Sequence, residues 1–275
     1  MKKNLSIMRT LFHFLGKKPL PIPEDGHISF TGNYPDWATA NANAQGYDAP
    51  LILDKTCAAL LKVKRGEAAF ERDSVLFDKP EYPFPLLSGL LRAALIDKGR
   101  LSVLDYGGSL GTTYFQCRPF LHAISPLEWS IVEQPAHVER GKSYFEDEIL
   151  RFYRNPEACM AQRQPNTLLL SSVLAYLPDP YGTLAQLLSL GIRHLLIDRT
   201  PLLVRDRDRL TVQHIPDNIY HASYPAWFFG ETHLLSAFEA GGYRLIAEFP
   251  GSDIVRPNDE NAFFKGFILQ KKDPI

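Results

Sequence analysis

An α/β fold of the Rossmann-like, doubly wound type is predicted by three features of the sequence. From Leu101 onward, short apolar runs alternate with helix-sized segments, the pattern of βαβ units around a parallel sheet. The first run ends in a glycine-rich turn, Asp105-Tyr106-Gly107-Gly108-Ser109-Leu110-Gly111. The last two runs are joined by a connection holding Pro250, Gly251, Pro257 and Asn258 with no helical pattern, which suits antiparallel rather than parallel neighbours. With 275 residues, 45% of them apolar, the chain can bury a full core.

Residues 1 to 99 read as a helical and loop extension, or cap, with no convincing strand; residues 100 to 275 read as the Rossmann-like domain. Leu5, Met8, Leu11, Phe12 and Leu15 share a helical face flanked by Lys2, Lys3, Lys17 and Lys18, so a helix docking on a partner or membrane surface is one reading and a packed or frayed terminus the simpler one. Arg9 and His13 interrupt the apolar stretch and no small-residue cleavage site follows, which argues against secretion. Pro19, Pro21 and Pro23 mark a linker. A helix is predicted from Pro50 to Lys64, on Leu51, Leu53, Cys57, Leu60 and Leu61, and another from Pro85 to Lys98, stopped by Gly99.

Strands are predicted at 101 to 105, 128 to 133, 149 to 153, 167 to 172 and 194 to 198. Thr112 or Thr113 starts the helix after the glycines, Pro135 suits the first turn of a helix reaching about Glu148, and Asp179-Pro180 is a cap with proline at the first helical position. A helix from about Thr232 closes on Gly241-Gly242, and strands follow at 243 to 249 and 263 to 270. Residues 200 to 229 read as a long loop, in which Arg205-Asp206-Arg207-Asp208-Arg209 is a self-cancelling, solvated run with no assigned function.

The formal net charge of -1 exerts no global pull on nucleic acid, so no nucleic-acid partner is expected. Cys57, Cys117 and Cys159 form no CxxC pair and have no histidine at zinc-ligand spacing; the expectation is a reducing, cytoplasmic setting without a metal. No run approaches the roughly 18 apolar residues of a membrane span.

The chemistry is concentrated where the first strand ends. Glycines there let the backbone approach a ligand, but a dinucleotide fingerprint needs glycine at position 106, which is Tyr106. Asp105 would repel a pyrophosphate and attract an ammonium group. S-adenosylmethionine has that ammonium, a sulfonium charge and no phosphate. The second strand ends in Glu133, where a doubly wound fold places an acid to accept the ribose hydroxyls. The alternatives are an ordinary Asp-Gly turn with a solvent-facing Glu133, a non-catalytic binding protein or scaffold on the same fold, and a nucleotide-sugar or NAD-dependent enzyme.

On these residues the segment from about 100 to 271 resembles the class I S-adenosylmethionine-dependent methyltransferases. Val103 to Gly111 is similar to their first motif, Glu133 falls on their ribose-binding acid, and Ser171-Ser172-Val173-Leu174-Ala175-Tyr176-Leu177-Pro178-Asp179-Pro180 resembles their fourth-strand segment. The whole chain also resembles an uncharacterised bacterial group of methyltransferases at Trp37, Gly46-Tyr47-Asp48, Asp198-Arg199-Thr200-Pro201 and Ser223-Tyr224-Pro225-Ala226-Trp227. The resemblance implies a seven-stranded sheet of order 3-2-1-4-5-7-6 with the last strand antiparallel. It also implies a donor site on Asp105, Tyr106, Gly107, Gly108, Gly111, Glu133, Gln134, Ser172 and Val173. Two departures stand out: Arg154-Asn155 replaces an acid at the third-strand end, and no Asn-Pro-Pro-Tyr signature is present.

Ligands of open α/β sheets bind beyond the carboxyl ends of the strands, which points to Tyr176, Asp198, Arg199 and the segment from Thr200 to Phe229 for a small-molecule acceptor, carbohydrate-related compounds included. Within that segment His214, Tyr220 and His221 are the titratable candidates, with His221 and Tyr220 preferred beside the aromatic cluster Tyr224, Trp227, Phe228 and Phe229. Arg199 suits an anionic acceptor or a salt bridge with Asp198. Trp37 and Tyr47 are candidates for a lid, packing on the domain being the simpler account.

Overall fold

The computed structural model describes residues 28–46, 49–72, 74–216, 222–251, 256–257 and 259–273. The terminal segment with Leu5 to Leu15 lies outside them, as do Tyr47, Tyr220 and His221.

The chain begins with strand β1 (Ser29–Tyr34), helix α1 (Trp37–Ala42), helix α2 (Ala49–Lys64), the short strands β2 (Phe70–Arg72) and β3 (Val75–Phe77), and helix α3 (Phe84–Ile96). Five parallel strands follow: β4 (Leu101–Tyr106), β5 (Leu127–Val132), β6 (Leu150–Tyr153), β7 (Thr167–Ser171) and β8 (His194–Leu203). Between them run α4 (Thr112–Leu121), α5 (Pro135–Tyr144), α6 (Pro156–Gln162) and α7 (Pro180–Ser189). The chain closes with β9 (Arg209–Ile215), β10 (Ala222–Phe228), α8 (Glu231–Ala240), β11 (Tyr243–Pro250) and β12 (Ala262–Lys271).

The main sheet has the order β6-β5-β4-β7-β8-β12-β11, with β12 antiparallel to both of its neighbours. Numbered in chain order within the sheet, this is 3-2-1-4-5-7-6. Successive residues of the central strands face opposite layers, as strand geometry demands. Val103, Leu169 and Leu196 join one core with α2, α3, α4 and α5; Leu104, Leu168, Leu170 and Leu195 join the other with α6, α7 and α8. The contact of α3 with the sheet depends on Gly89, where a Cβ would lie 2.7 Å from Leu196 Cδ2.

Two expectations are corrected. Among the described residues, the first hundred contain three strands, because Phe30 and the Phe70/Phe77 pair supply apolar faces that pairing buries. The segment from 200 to 229 is not a long loop: β8 continues to Leu203, and β9 and β10 form a second sheet with β1, in the order β1-β9-β10. In β9, Leu210 and Val212 pack on Ala40 of α1 and on Trp37, while the intervening residues face the other way. Pro225 is tolerated because β10 is an edge strand. Trp37 therefore packs on the small sheet.

The run from Arg205 to Arg209 is also corrected in part. Arg209 is only 5% exposed and holds Asp259 Oδ1 at 2.9 Å, Glu260 Oε2 at 3.1 Å and the Gly32 carbonyl at 2.6 Å. Asp208 takes the Tyr181 hydroxyl at 3.1 Å and the Gly230 N–H at 2.7 Å. Arg209 and Glu260 are buried on both sides of their pair, so removing either leaves an uncompensated charge, and these ends of the run fasten β1, β9 and α8 together.

Candidate functional site

The carboxyl ends of β4, β7 and β8 open into a cleft of about 480 Å³, within the range of small-molecule sites. Its floor is the glycine loop. Gly107 and Gly111 have φ of 73° and 105°, and Ser109 between them has φ of 52°, so the chain turns by alternating left-handed residues. Gly108 is required for another reason: a Cβ there would lie 2.5 Å from the Asp105 carboxyl group. Gly111 then starts α4, and Phe115 N–H bonds its carbonyl at 3.0 Å.

Asp105 is 1% exposed. Its Oδ2 accepts the Trp129 indole N–H at 3.0 Å, whereas Oδ1 is buried with no partner. Burial drives its pKa up to about 7; the Trp129 hydrogen bond opposes the shift, Glu133 adds to it, and Arg199 opposes it. A cation brought to Oδ1 would satisfy the orphaned oxygen and favour the ionised form.

Glu133 follows β5 and is partly exposed. Its Oε1 accepts the Ser109 N–H at 3.3 Å and its Oε2 accepts the Gln134 N–H at 2.7 Å, so the acid is tied to the rim of the loop. Gly107, Gly108, Ser172 and Arg199 line the cleft together with Asp105. Tyr106, Gly111, Glu133, Gln134 and Val173 surround the loop without lining the cleft. Val173 limits Gly107, where a Cβ would meet its Cγ2 at 2.4 Å.

At the ends of β7 and β8, Ser172 and Arg199 take left-handed φ values of 58° and 50°. The Ser172 N–H bonds the Asp198 carbonyl at 3.0 Å, and the Ser171 hydroxyl donates to Asp198 Oδ2 at 3.1 Å. Asp198 does not line the main cleft; with Arg199 it lines an adjoining cavity of about 130 Å³. Tyr176 donates to Gln213 Oε1 at 3.0 Å and meets the Tyr224 ring edge-on at 5.7 Å, which places β9 and β10 over the cleft. His214 lies on the face of β9 opposite Gln213, and its Nε2 is 3.0 Å from Thr31 Oγ1. It does not line the cleft, although its neighbours Gln213 and Ile215 do. Trp227 bonds the Leu177 carbonyl at 3.1 Å, and Phe228 and Phe229 belong to the core.

Several lining residues were not anticipated from sequence. Glu71 and Arg72 reach the cleft from the β2–β3 hairpin. Glu71 is buried and accepts the Thr112 hydroxyl and, at 3.1 Å, the Ser74 N–H, so the hairpin is clasped to the start of α4. The signal was a pair of short runs, Phe70-Glu71-Arg72 and the apolar, β-prone Val75-Leu76-Phe77, separated by the turn-forming residues Asp73-Ser74. His137, near the start of α5, also lines the cleft, with Nδ1 buried and unpartnered. Gln213 comes with the unexpected β9.

No family model and no curated protein matches the chain. Among solved structures it is similar to the Burkholderia thailandensis 1,6-didemethyltoxoflavin-N1-methyltransferase, at 16% identity over 94% of this chain and 100% of that chain, with a TM-score of 0.41. It is similar to the Synechocystis PCC 6803 magnesium protoporphyrin IX methyltransferase at 14% identity, over 83% of this chain and 99% of that chain, with a TM-score of 0.44. The glycopeptide N-methyltransferase MtfA matches at 11% identity over 67% and 94% of the two chains, TM-score 0.45. These distant likenesses carry no argument about ligand or reaction. The strand order 3-2-1-4-5-7-6, with its antiparallel seventh strand, rests on this chain's own pairing.

The fold is a Rossmann-like, doubly wound sheet. The cleft lies at the switch point between β4 and β7, where the sheet order reverses and ligands of doubly wound sheets bind. Among the described residues, no helix is long and apolar enough to cross a membrane.

Proposed function

We propose that this chain is a methyltransferase that binds S-adenosylmethionine in the main cleft and methylates a small-molecule acceptor in the cytoplasm. The observation that carries the reading is Asp105 Oδ1, a buried carboxylate oxygen without a partner above a loop that tolerates close backbone approach. An ammonium satisfies that oxygen; a pyrophosphate is repelled by it. The donor, when bound, supplies a methyl group on a sulfonium centre, and its transfer leaves a neutral thioether.

The chain's own contribution is binding, orientation and exclusion of water. Asp105 holds the ammonium. Glu133 has further lone pairs beyond those used by Ser109 and Gln134, and these accept the ribose hydroxyls. Tyr106, Gly111, Gln134 and Val173 fix the loop's shape, while Gly107, Gly108 and Ser172 face the donor. Asp198 and Arg199 orient the acceptor, and Tyr220 and His221 accept a proton when the acceptor is a hydroxyl or a protonated amine. Residues 1–99 act as a cap on the domain formed by residues 100–275, a role supported by the clasp of Glu71 on Thr112. Buried, unpaired Cys57, Cys117 and Cys159 support a reducing compartment.

Calorimetry on the purified chain with S-adenosylmethionine, S-adenosylhomocysteine and NAD tests the reading. Saturable heat with the first two and none with NAD is expected. Absence of heat with both sulfur nucleosides, or clear NAD binding, overturns it.

A further inference from the structure

The cavity beside the main cleft differs from it in chemistry. It is ring-sized: at about 130 Å³ it is close to the roughly 150 Å³ of protein cavities that admit benzene. Tyr82, Pro83, Leu86, Phe249 and Pro250 give it apolar walls, contributed by the start of α3, the segment before it and the end of β11. Arg72, Thr113, Ser171 and Arg199 line both spaces, so these four residues form the junction between them. Two guanidinium groups from separate elements thus stand at the mouth of a pocket whose lining also includes the Glu81 and Asp198 carboxylates.

Arg199 is held there at a cost. Its φ of 50° is a left-handed conformation that an arginine adopts only when its surroundings impose it, and such strain gathers at ligand sites. Its contacts within the chain are long: Nε lies 3.8 Å from Asp198 Oδ2 and Nη2 lies 3.4 Å from Ser171 Oγ. A guanidinium fork facing a carboxylate makes two parallel bonds of about 2.8 Å. A carboxylate arriving at the junction would therefore be the shortest partner Arg199 has. Arg72 Nη2 lies 4.0 Å from Glu81 Oε2, and its guanidinium lies 5.9 Å from the Phe70 ring centroid.

We propose that this cavity is the acceptor subsite and that the acceptor is a small cyclic carboxylic acid, its ring against the apolar walls and its carboxylate on Arg199 and Arg72. The assignment rests on the methyl-transfer reading, because this cavity adjoins the cleft that reading gives to the donor and shares four lining residues with it. It also selects among sugar-like acceptors: uronic acids fit the junction and neutral sugars do not.

Ligand-observed NMR on the full chain, with benzoate, glucuronate, benzyl alcohol and glucose as probes, tests the proposal with and without S-adenosylhomocysteine. The two acids are expected to bind and their neutral counterparts to bind at least tenfold more weakly. Arg199→Gln is expected to weaken benzoate by about ten- to a hundredfold, the loss of a charge-assisted hydrogen bond, while Arg199→Lys retains part of the affinity. Circular dichroism and thermal melting of Arg199→Gln should match wild type, which establishes that the variant is folded. Equal binding of acid and neutral probes, no binding of either acid, or benzoate affinity unchanged in Arg199→Gln overturns the proposal. So does a variant that loses the nucleoside and keeps benzoate, because Arg199 then serves the donor. If wild type binds benzoate but no sulfur nucleoside, the donor reading falls while the anion site stands.

Discussion

The charge state of Asp105 controls two measurable quantities in opposite directions. Its carboxyl is buried with a folded-state pKa near 7, against an ordinary value of 3.8. An acid whose pKa is raised by folding opposes the folded state once ionised: the penalty is absent below about pH 3.8, grows as pH rises and is complete above about pH 7. Three pKa units correspond to about 4 kcal/mol. Asp105→Asn keeps an acceptor for Trp129 and removes the ionisation, so it should stabilise the free protein by up to about 4 kcal/mol near pH 8 and have little effect near pH 4. Urea unfolding at the two pH values measures this. Donor binding moves the other way, because an ammonium requires the ionised carboxylate. Calorimetric affinity of wild type for S-adenosylhomocysteine should be greatest near pH 8, where the carboxylate is ionised and the ligand's amine is still largely protonated, and fall by about tenfold per unit below pH 7. In Asp105→Asn it should lose that slope and be about ten- to a hundredfold weaker at pH 8. A variant more stable and equally tight, or wild-type affinity independent of pH, refutes the assignment of the ammonium to Asp105.

Three further outcomes follow from the same geometry. Gly108→Ala forces a methyl group to 2.5 Å from a carboxyl already fixed by Trp129, so thermal melting should show a loss of about 1–3 kcal/mol and calorimetry a loss of donor affinity; an unchanged melt contradicts the close approach. Glu133→Ala should weaken donor binding while leaving the fold intact, and wild-type affinity in this variant would place the ribose elsewhere. His194 is buried 3.4 Å from Asp97 Oδ2, and burial lowers its pKa, with Asp97 opposing the shift and Arg193 and Arg92 adding to it. Its folded pKa lies below its unfolded value, so stability is lost as pH falls through about 6.5. The opposing titration of Asp105 masks this in wild type; in Asp105→Asn the urea midpoint should drop on acidification, and His194→Gln added to that background should abolish the drop.

The parallel core was legible because its signals are local. Leu101 to Leu104 and Leu168 to Leu170 are continuous apolar runs, as strands covered on both faces must be, and Asp179-Pro180 and Pro135 mark helix starts. The short helix α6 was missed although Asn155 caps it on the Ala158 N–H at 2.8 Å, because the run Arg154-Asn155-Pro156 was read only as a strand end. The glycine loop and Asp105 were legible as a charge pattern, but the orphaned Oδ1 depends on the packing of Trp129, which no spacing reveals. What sequence concealed is long-range. β9 is half-polar and finds its meaning only against β1 and α1; Glu71 and Arg72 sit in a three-residue strand whose partner is a three-residue strand. Arg209 lies in a run of alternating charges that looks fully solvated until Asp259 and Glu260 close on it.

The pairing of β1 with β9 has a kinetic consequence. Thr31 and His214 touch although they are 183 residues apart, so the sheet that roofs the cleft cannot close until the ribosome has released most of the chain. Non-local pairing of this kind delays folding, and domains are synthesised from the amino terminus. The parallel core can assemble around β4, β5 and β7 while the apolar face of β1, with Phe30, still awaits its partner. The roof over the cleft is therefore completed late in biogenesis, when β9 has joined β1.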